Sequence, residues 1–390
     1  MGKSRRRFMV LAAVACSSLM AVTTGVAAAA TTGTPGKWTL ETTPAGDGVT
    51  LTGVSCFSNG CVAVGNRYGL GVVYGWNGSA WSAQNAPRNA GLNSVACSAA
   101  NVCIAVGSHR GKAQAWSWNG TMWSAQATFN PKSSANSLSA IRCSAGTSSC
   151  EAVGYSSNGG STTLPLAEYW NGKAWTDQST PGALPGELSA VSCESRGASL
   201  GPCEAVGQND YTLAPLAMGL SRSKWVTQAT PKLPKTAISN GPSALTGISC
   251  YSSGCIAVGW YYYTDDTPTS TGNDFVVERW DGSKWTLSFP GISDTSDTPT
   301  AVHCESASHC TAVGWLIADG SASSATDPLV ATWDGTNWTE IIRPANIGFG
   351  SGDGLNAMAC VSGGAVCTAV GWQEDPNGYP SPSDSLAIRN

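Results

Sequence analysis

The sequence has little charge, little histidine and no long apolar run beyond its N-terminus. Charged residues make up 12% of the 390-residue chain, three residues are histidine, and the formal net charge is −4. Nucleic acid and anionic membrane surfaces attract clustered Lys and Arg, so neither is expected as a partner. After residue 30 no stretch approaches the ~20 apolar residues of a membrane helix. The many Gly, Trp, Ser and Thr residues instead favour short strands joined by polar turns.

Residues 1–30 predict a secretory signal peptide, which lies outside the folded part of the chain. Lys3 and Arg5–Arg7 precede an apolar stretch, and small residues occur around Ala27–Ala30. The SRRRFM stretch also resembles a twin-arginine signal, so the twin-arginine and general secretory routes both remain open. Acylation of Cys16 is a weaker alternative, because apolar sequence continues past it. We therefore expect an extracellular protein that is more acidic after the signal is removed.

Fourteen cysteines remain beyond this segment, and they fall into seven close pairs. Four to nine residues lie inside each pair. A structural zinc site needs four converging soft ligands, whereas these pairs belong to separate repeats. The spacing therefore predicts seven local disulfides in an oxidising compartment. The predicted pairs are Cys56 with Cys61, Cys97 with Cys103, Cys143 with Cys150, Cys193 with Cys203, Cys250 with Cys255, Cys304 with Cys310, and Cys360 with Cys367.

The cysteine pairs belong to seven copies of a unit that recurs every 41 to 57 residues. The third copy, Leu138–Pro181, contains an alternating run ending in Cys, a C-x-A-V-G run, a third run ending in W-N-G, and a fourth run that begins with Trp. We interpret the small Ala and Gly as allowing close approach of a neighbouring sheet. The W-N/D-G segments predict two-residue hairpins with positive φ at both central positions. The fourth copy departs from the pattern, with Gly219–Arg222 in place of the tryptophan turn.

Four antiparallel strands per copy predict an all-β, seven-bladed β-propeller that spans residues 31–390 as one domain. A parallel β-helix would need a shorter period, and separate units would leave sheet faces unburied. The seventh copy, Leu355–Asn390, stops before its fourth run. Residues 35–44 align with residues 171–181, which contain such a run. The N-terminal strand is therefore predicted to complete the last blade and to remove its open edges.

The chain resembles a group of secreted actinobacterial repeat proteins with paired cysteines and W-N-G turns. More distantly it resembles the Asp-box propellers, which include sialidases and photosystem II assembly-factor propellers. The motifs that carry this second resemblance are Asp281–Trp285 and Asp334–Trp338. The resemblance implies a structural turn at each motif rather than chemistry. Sialidase activity is not expected, because no F-R-I-P-like stretch frames an arginine.

In propellers generally, the loops between strands two and three share one face with the connections between blades. The resemblance puts those loops on what we call the front face, with the cysteine loops and tryptophan turns on the opposite, disulfide face. Aromatic side chains with nearby carboxylates suit sugars, which have an apolar C–H face and a polar edge. The predicted ligand-binding residues lie in blades five to seven: Trp260, Tyr261, Tyr262, Tyr263, Trp315, Trp372, Tyr379, Asp265, Asp266, Asp319, Glu374 and Asp375.

Two alternatives remain open for these residues. Trp260, Trp315 and Trp372 each follow A-V-G directly, so they also suit packing between blades. Neighbouring residues of a strand point to opposite faces, so at least one ring of Tyr261–Tyr263 is expected to be exposed. The carboxylates suit Ca²⁺, but the chain has no D-x-D-x-D-G loop, and solvated turn carboxylates are the preferred interpretation. No metal or cofactor is therefore expected.

Catalytic arrangements are less well supported. His109, His303 and His309 occur in different contexts, so a Ser-His-Asp arrangement has no evident base. Glu151 and Glu204 each follow a cysteine at equivalent positions, and we interpret them as exposed strand-end charges rather than a glycosidase pair. The sequence thus predicts a secreted, non-catalytic, monomeric glycan-binding protein. A protein-interaction platform in a secreted complex is the alternative, and a polysaccharide hydrolase or lyase is least favoured.

Overall fold

A computed structural model of the chain describes residues 37–44, 46–144, 149–157, 159, 162–182, 184–196, 199–233, 241–264, 271–290, 296–317, 326–340, 352–361, 366–374 and 384–390. Throughout these ranges the regular structure is β-strand. No helix in them is long and apolar enough to cross a membrane. The predicted signal peptide, residues 1–30, lies outside the described residues.

The strands form seven four-stranded antiparallel sheets, and each sheet corresponds to one copy of the repeat. Blades one to three are β2 Val49–Phe57, β3 Gly60–Arg67, β4 Leu70–Trp76 and β5 Trp81–Gln84; β6 Gly91–Ala99, β7 Val102–His109, β8 Lys112–Trp118 and β9 Trp123–Gln126; and β10 Ala135–Cys143, β11 Cys150–Ser157, β12 Thr163–Trp170 and β13 Trp175–Asp177.

Blades four and five are β14 Glu187–Arg196, β15 Ser199–Gln208, β16 Pro215–Ser221 and β17 Lys224–Gln228; and β18 Ser243–Tyr251, β19 Gly254–Thr264, β20 Thr271–Trp280 and β21 Trp285–Ser288. Blade six is β22 Ser296–Ser306, β23 His309–Ile317, β24 Asp327–Trp333 and β25 Trp338–Glu340. Blade seven joins β26 Gly354–Cys360, β27 Cys367–Gln373 and β28 Asp384–Arg389 to the N-terminal β1 Thr39–Leu40.

The two ends of the chain complete one blade, as the sequence predicts. Thr39 pairs with Arg389 and Leu40 pairs with Ile388 in antiparallel register. The first strands of successive blades contact one another from blade one to blade seven and back to blade one. The chain is therefore a closed seven-bladed β-propeller with its first strands around the axis.

All seven predicted disulfides form, which confirms the cysteine pairing and rules out zinc at these sites. In blade three Cys143 lies opposite Cys150, Cys150 opposite Trp170, and Trp170 opposite Trp175. The disulfide and the tryptophan turn therefore lie at the same end of the blade. That end is the disulfide face, and the loops between second and third strands lie at the other end.

We expect each disulfide to add modest stability, because it closes a short loop. Replacing Cys97 and Cys103 together with Ala should lower the free energy of unfolding by about 2 kcal/mol on the chain-entropy model. Guanidinium denaturation of the variant and the parent measures the difference. Ala100→Ser, at an exposed position of the same hairpin, is the control and should change little. A double variant as stable as the parent would contradict the expectation.

A ring of side-chain hydrogen bonds ties neighbouring first strands together. Every described first strand carries a β-bulge near its start. In five blades the bulged Thr or Asn donates to a carbonyl in the first strand of the next blade. These bonds are Thr52 to Leu92 (2.9 Å), Asn93 to Leu138 (2.8 Å), Thr246 to Pro299 (2.6 Å), Thr300 to Leu355 (2.7 Å) and Asn356 to Leu51 (2.8 Å). The last of them joins blade seven to blade one.

The glycine of A-V-G contacts its own sheet rather than the neighbouring sheet that we predicted. A Cβ on Gly259 would overlap the carbonyl oxygen of Ala244, in the first strand of the same blade. A Cβ on Gly65 would likewise overlap the carbonyl of Thr50. The expectation that this glycine admits a neighbouring sheet is therefore wrong, since it makes room for the bulge within its own sheet.

The W-N/D-G turns also differ from the two-residue hairpins that the sequence predicts. Trp76 pairs with Trp81, so four residues lie between the paired tryptophans, and only Gly78 among them has positive φ. The Asn77 side chain accepts hydrogen bonds from the backbone N–H groups of Ser79 and Ala80. Asn and Asp accept such bonds readily from residues two and three positions on, so they stabilise a longer turn.

The apolar core is divided into seven clusters, one between each pair of neighbouring blades. Ala and Val of A-V-G point to opposite faces of the blade, because successive strand residues alternate. In blade five Ala257 packs toward blade four, and Val258 packs toward blade six. Each blade therefore depends on both neighbours for burial.

Candidate functional site

The front end of blade five carries a group of aromatic side chains on two long strands. β19 has 11 residues and β20 has 10, so both extend beyond the A-V-G layer. Tyr261 is 4% exposed, and its ring centroid lies 6.3 Å from that of half-buried Tyr263. The Tyr261 hydroxyl donates a 2.7 Å hydrogen bond to Asp274 on the paired strand. Tyr261 is thus held by packing and by a carboxylate.

Sequence reasoning missed Phe289, which follows β21 and joins this group. Its ring centroid lies 5.8 Å from that of Tyr261 at an interplanar angle of 70°, and the side chain is 44% exposed. The signal available in the sequence was a lone Phe after the fourth strand, which does not by itself indicate proximity to Tyr261. We call Tyr261, Tyr263, Asp274 and Phe289 the blade-five aromatic cluster.

The three tryptophans that follow A-V-G occupy matching places in blades five, six and seven. Trp260, Trp315 and Trp372 are half-buried. Each lies two residues after the A-V-G valine, on the same sheet face, and that valine packs toward the following blade. In blade seven the indole of Trp372 covers Gly354, where a Cβ would overlap the ring. Each indole therefore lies at the front end of a blade junction, partly packed and partly open.

Tyr262 is half-buried and lies on the face of β19 opposite to Tyr261 and Tyr263. Glu374 is exposed, and its backbone N–H donates to Asp353 at 3.1 Å. No group of three or more potential metal ligands occurs within the described ranges. The other predicted site residues, Asp265, Asp266, Asp319, Asp375 and Tyr379, lie outside the described residues.

The expectation that Glu151 and Glu204 are exposed strand-end charges is wrong. They are 2% and 7% exposed, because they lie on second strands whose faces are covered by the next blade. The Gln178 amide donates to Glu151 at 3.0 Å and accepts a 2.7 Å hydrogen bond from the Trp225 indole of blade four. In blade four Gln228 is hydrogen-bonded to Glu204 in the same way and accepts from the Trp285 indole at 2.7 Å.

Two further glutamates, Glu168 and Glu278, are fully buried on third strands. Glu168 accepts a 2.9 Å hydrogen bond from the Phe129 backbone N–H. Both oxygens of Glu278 are buried without a hydrogen-bond partner among the described residues. Burial raises the pKa of Glu151, Glu168 and Glu278 to about 8 and that of Glu204 to about 7.

These four carboxyl groups do not form an open catalytic pair. Glu151 faces the junction of blades three and four, and Glu204 faces the junction of blades four and five. A glycosidase needs two carboxyl groups that flank one substrate bond. Residues at separate, covered junctions lack that arrangement, so their raised pKa values bear on stability rather than on glycoside hydrolysis.

The Asp-box-like segments form turns on the disulfide face. Asp281 accepts hydrogen bonds from the backbone N–H groups of Ser283 and Lys284 and from the Ser283 hydroxyl. The side-chain hydrogen bond from Ser283 is the first of the contacts that hold the pKa of Asp281 down at about 2. Asp334 makes the equivalent contacts to Thr336 and Asn337, and its pKa is also lowered to about 2. Both carboxylates are used within their own turns.

Comparison with solved structures finds propellers along almost the whole chain. YCF48 bound to D1 peptide is 14% identical with a TM-score of 0.55, and the match covers 91% of this chain and 96% of that one. U3-55K is 11% identical with a TM-score of 0.56, covering 90% and 98%. Streptogramin B lyase is 8% identical with a TM-score of 0.54, covering 91% and 98%. At these identities the likeness shows the fold alone. No family model and no curated protein matches the sequence.

Proposed function

We propose that this protein is an exported, non-catalytic binding propeller that recognises a glycan through the front face of blades five to seven. The observation that carries the proposal is the blade-five aromatic cluster, in which exposed Phe289 and half-buried Tyr263 flank Tyr261 and its Asp274 partner. Apolar rings beside a carboxylate match the C–H face and hydroxyl edge of a sugar. Trp260, Trp315 and Trp372, at the front ends of the following blade junctions, are proposed to contribute to the same front face.

Export rests on residues 1–30 and on the disulfides. Seven disulfides indicate an oxidising compartment, because reducing conditions in the cytosol keep thiols free. A signal peptide at residues 1–30 would deliver the chain there. N-terminal sequencing of protein recovered from culture medium tests this part, and a mature protein that begins before residue 30 would count against it.

The tryptophans provide the main test of the glycan site. We expect Trp260→Ala, Trp315→Ala and Trp372→Ala together to weaken polysaccharide binding at least about tenfold, since about 1.4 kcal/mol is enough for that change. A glycan array followed by titration of the best ligand measures the loss. Trp118→Ala is the matched control, because Trp118 is also half-buried but lies on the disulfide face. Undiminished binding by the triple variant would overturn the site assignment.

A protein or peptide partner is the second candidate, and one observation favours it. The YCF48 structure that shares this fold is bound to a peptide, so a propeller of this size can present a surface to a peptide ligand. Affinity purification of the secreted protein from its native culture separates the two candidates. A stoichiometric protein partner supports the interaction platform, whereas a monomer retained on polysaccharide supports glycan recognition.

A further inference from the structure

The low net charge of the chain conceals an uneven distribution along it. Residues 48–150 contain six Lys and Arg and no Asp or Glu, whereas residues 151–390 contain 23 Asp and Glu against 10 Lys and Arg. The first range comprises blades one and two and the first strand of blade three. The cations of blades one and two therefore have no acidic residue within this range to pair with.

The turns between the second and third strands of blades one and two are tight hairpins that carry basic residues. They are Arg67–Leu70 and His109–Lys112, and the two end residues of each turn pair with each other. The two central residues have φ values of 50° and 78° in the first turn, and of 52° and 72° in the second. Positive φ at both positions is typical of the two-residue hairpin that matches strand twist. These short turns hold their basic side chains close to the front end of the sheet.

The connections between blades add two more cations beside these turns. Arg88 lies between blades one and two, and Lys132 lies between blades two and three. The carbonyl oxygen of Asn89 is 2.6 Å from Nδ1 of His109, so the first connection contacts the blade-two turn. The carbonyl of Gly111 in that turn accepts a 2.9 Å hydrogen bond from the first-strand backbone of blade three. The two turns and the two connections thus follow one another around the front face.

Six exposed side chains of these segments form a surface that we call the front basic patch. It has five positive charges, and Asp47 is the acidic residue nearest to it along the chain. The guanidinium Nε of Arg67 donates a 2.9 Å hydrogen bond to the backbone carbonyl of Asp47. The patch consists of Arg67, Tyr68, Arg88, Arg110, Lys112 and Lys132.

Exposed aromatic rings accompany the cations. Tyr68 is 70% exposed at the tip of its turn, and the Arg67 guanidinium lies 5.9 Å from its ring centroid. Phe129, in the connection that carries Lys132, is 42% exposed. A guanidinium fork matches a carboxylate, and an aromatic ring packs on the apolar C–H face of a sugar. A uronic acid has both features in each unit, whereas an acidic peptide has the carboxylate without the sugar ring.

We propose that the front basic patch binds an acidic polysaccharide built from uronic-acid units. The carboxylates lie on the Arg and Lys side chains, and a sugar ring packs against Tyr68. The acidic residues of the other blades oppose binding only weakly, because exposed charges are largely screened beyond about 10 Å at 0.1 M salt. The patch is on blades one and two, so it is separate from the glycan surface proposed for blades five to seven.

Titration of the intact protein with polygalacturonate at low ionic strength tests the proposal. We expect polygalacturonate to bind, and added NaCl to weaken the binding because salt screens exposed charges. Arg110→Gln, Lys112→Gln and Lys132→Gln together should lower the affinity at least about tenfold. Absence of polygalacturonate binding would overturn the proposal.

A matched control removes the same one Arg and two Lys from the disulfide face. Its substitutions are at exposed positions in the third-to-fourth-strand turns of blades three and four: Lys173→Gln, Arg222→Gln and Lys224→Gln. The net charge changes equally in both triple variants, so a general attraction to the polymer would weaken equally in both. We expect the control to keep the parent's affinity within about twofold. Equal weakening by the two triple variants would contradict a site at the front basic patch.

Tyr68→Ala distinguishes sugar recognition from attraction between charges alone. It keeps every charge of the patch and should still weaken polygalacturonate binding about threefold or more. The variant with Trp260, Trp315 and Trp372 replaced by Ala should bind polygalacturonate as the parent does, because those residues belong to the other surface. Unchanged affinity of Tyr68→Ala, or poly-L-glutamate bound as tightly as polygalacturonate, would reject a polysaccharide as the partner.

A second measurement needs no variant. The lysine amines of the parent protein are acetylated with and without polygalacturonate, and the modified positions are identified by mass spectrometry. Bound polymer should protect Lys112 and Lys132, and it should leave Lys173 and Lys224 as reactive as before. Equal protection of all four lysines, or protection of none, would count against the proposed surface.

Discussion

Raising the pH from about 5 to about 9 should lower the free energy of unfolding of this protein by several kcal/mol. Glu151, Glu168 and Glu278 have a folded-state pKa raised to about 8, and Glu204 to about 7, against an ordinary value of 4.5. Between those values the folded chain holds more protons than the unfolded chain, so stability decreases as the pH rises. The contribution of these four carboxyl groups to stability is fully present below about pH 4.5. It is lost as the pH rises through their folded-state pKa values of about 7 to 8.

Glu278 provides the sharpest test, because burial is the one cause of its raised pKa and neither oxygen has a described hydrogen-bond partner. We expect Glu278→Gln to remove part of the pH dependence and to exceed the parent in stability at pH 9 by an amount on the order of a few kcal/mol. Chemical denaturation at pH 5, 7 and 9 measures both effects. At pH 5 the two proteins should be much closer in stability.

Glu305→Gln is the control for this prediction. Glu305 is exposed in the disulfide hairpin of blade six, so removing its charge should leave the pH dependence of stability unchanged. Parallel pH profiles for the parent and Glu278→Gln would show that Glu278 ionises normally in the folded state. A profile in which the parent gains stability between pH 5 and 9 would contradict the prediction as a whole.

The N-terminal strand should stabilise the ring far more than its two paired residues suggest. Trp38, immediately before β1, is 2% exposed and packs in the cluster between blades six and seven, with Val313, Leu355 and Ile388. We expect Trp38→Ala to cost about 3–5 kcal/mol of unfolding free energy, the usual range for removing a buried Trp. Leu40→Ala, on the same strand but 38% exposed, should cost well under half as much.

Removing residues 37–44 should have a second, different consequence. β28 would then present an unpaired edge, because its partner β1 is gone. We expect the truncated protein to form dimers or larger species, detected by size-exclusion chromatography with light scattering. A truncated protein that stays monomeric and unfolds at the parent's denaturant concentration would show that β1 does not close the ring.

The sequence alone was sufficient for the fold because the same local rules recur seven times. Each copy repeats an alternating strand, a short cysteine-bridged hairpin, a C-x-A-V-G run and a tryptophan turn, so an error in one copy is corrected by the others. The missing fourth strand of the seventh copy and the matching segment at residues 35–44 also determined how the ring closes. Periodicity, spacing and turn residues are properties of neighbouring positions, and a sequence displays them directly.

The contacts of polar and aromatic side chains between blades could not be predicted from the repeat. Glu151 looks like a strand-end charge in the sequence, because its hydrogen-bond partner Gln178 lies 27 positions further along the chain and the Trp225 indole that holds this amide comes from the next blade. Phe289 joins Tyr261 although 27 residues separate them along the chain.

By itself the sequence determined the strands, the disulfides and the closed seven-bladed ring, since these depend on patterns within a copy and on the number of copies. Only the tertiary structure decided which glutamates are buried with raised pKa values and which aromatic rings lie together. Those properties depend on what one blade places against the next. Burial and electrostatics are set by such contacts, which residue order within a repeat does not contain.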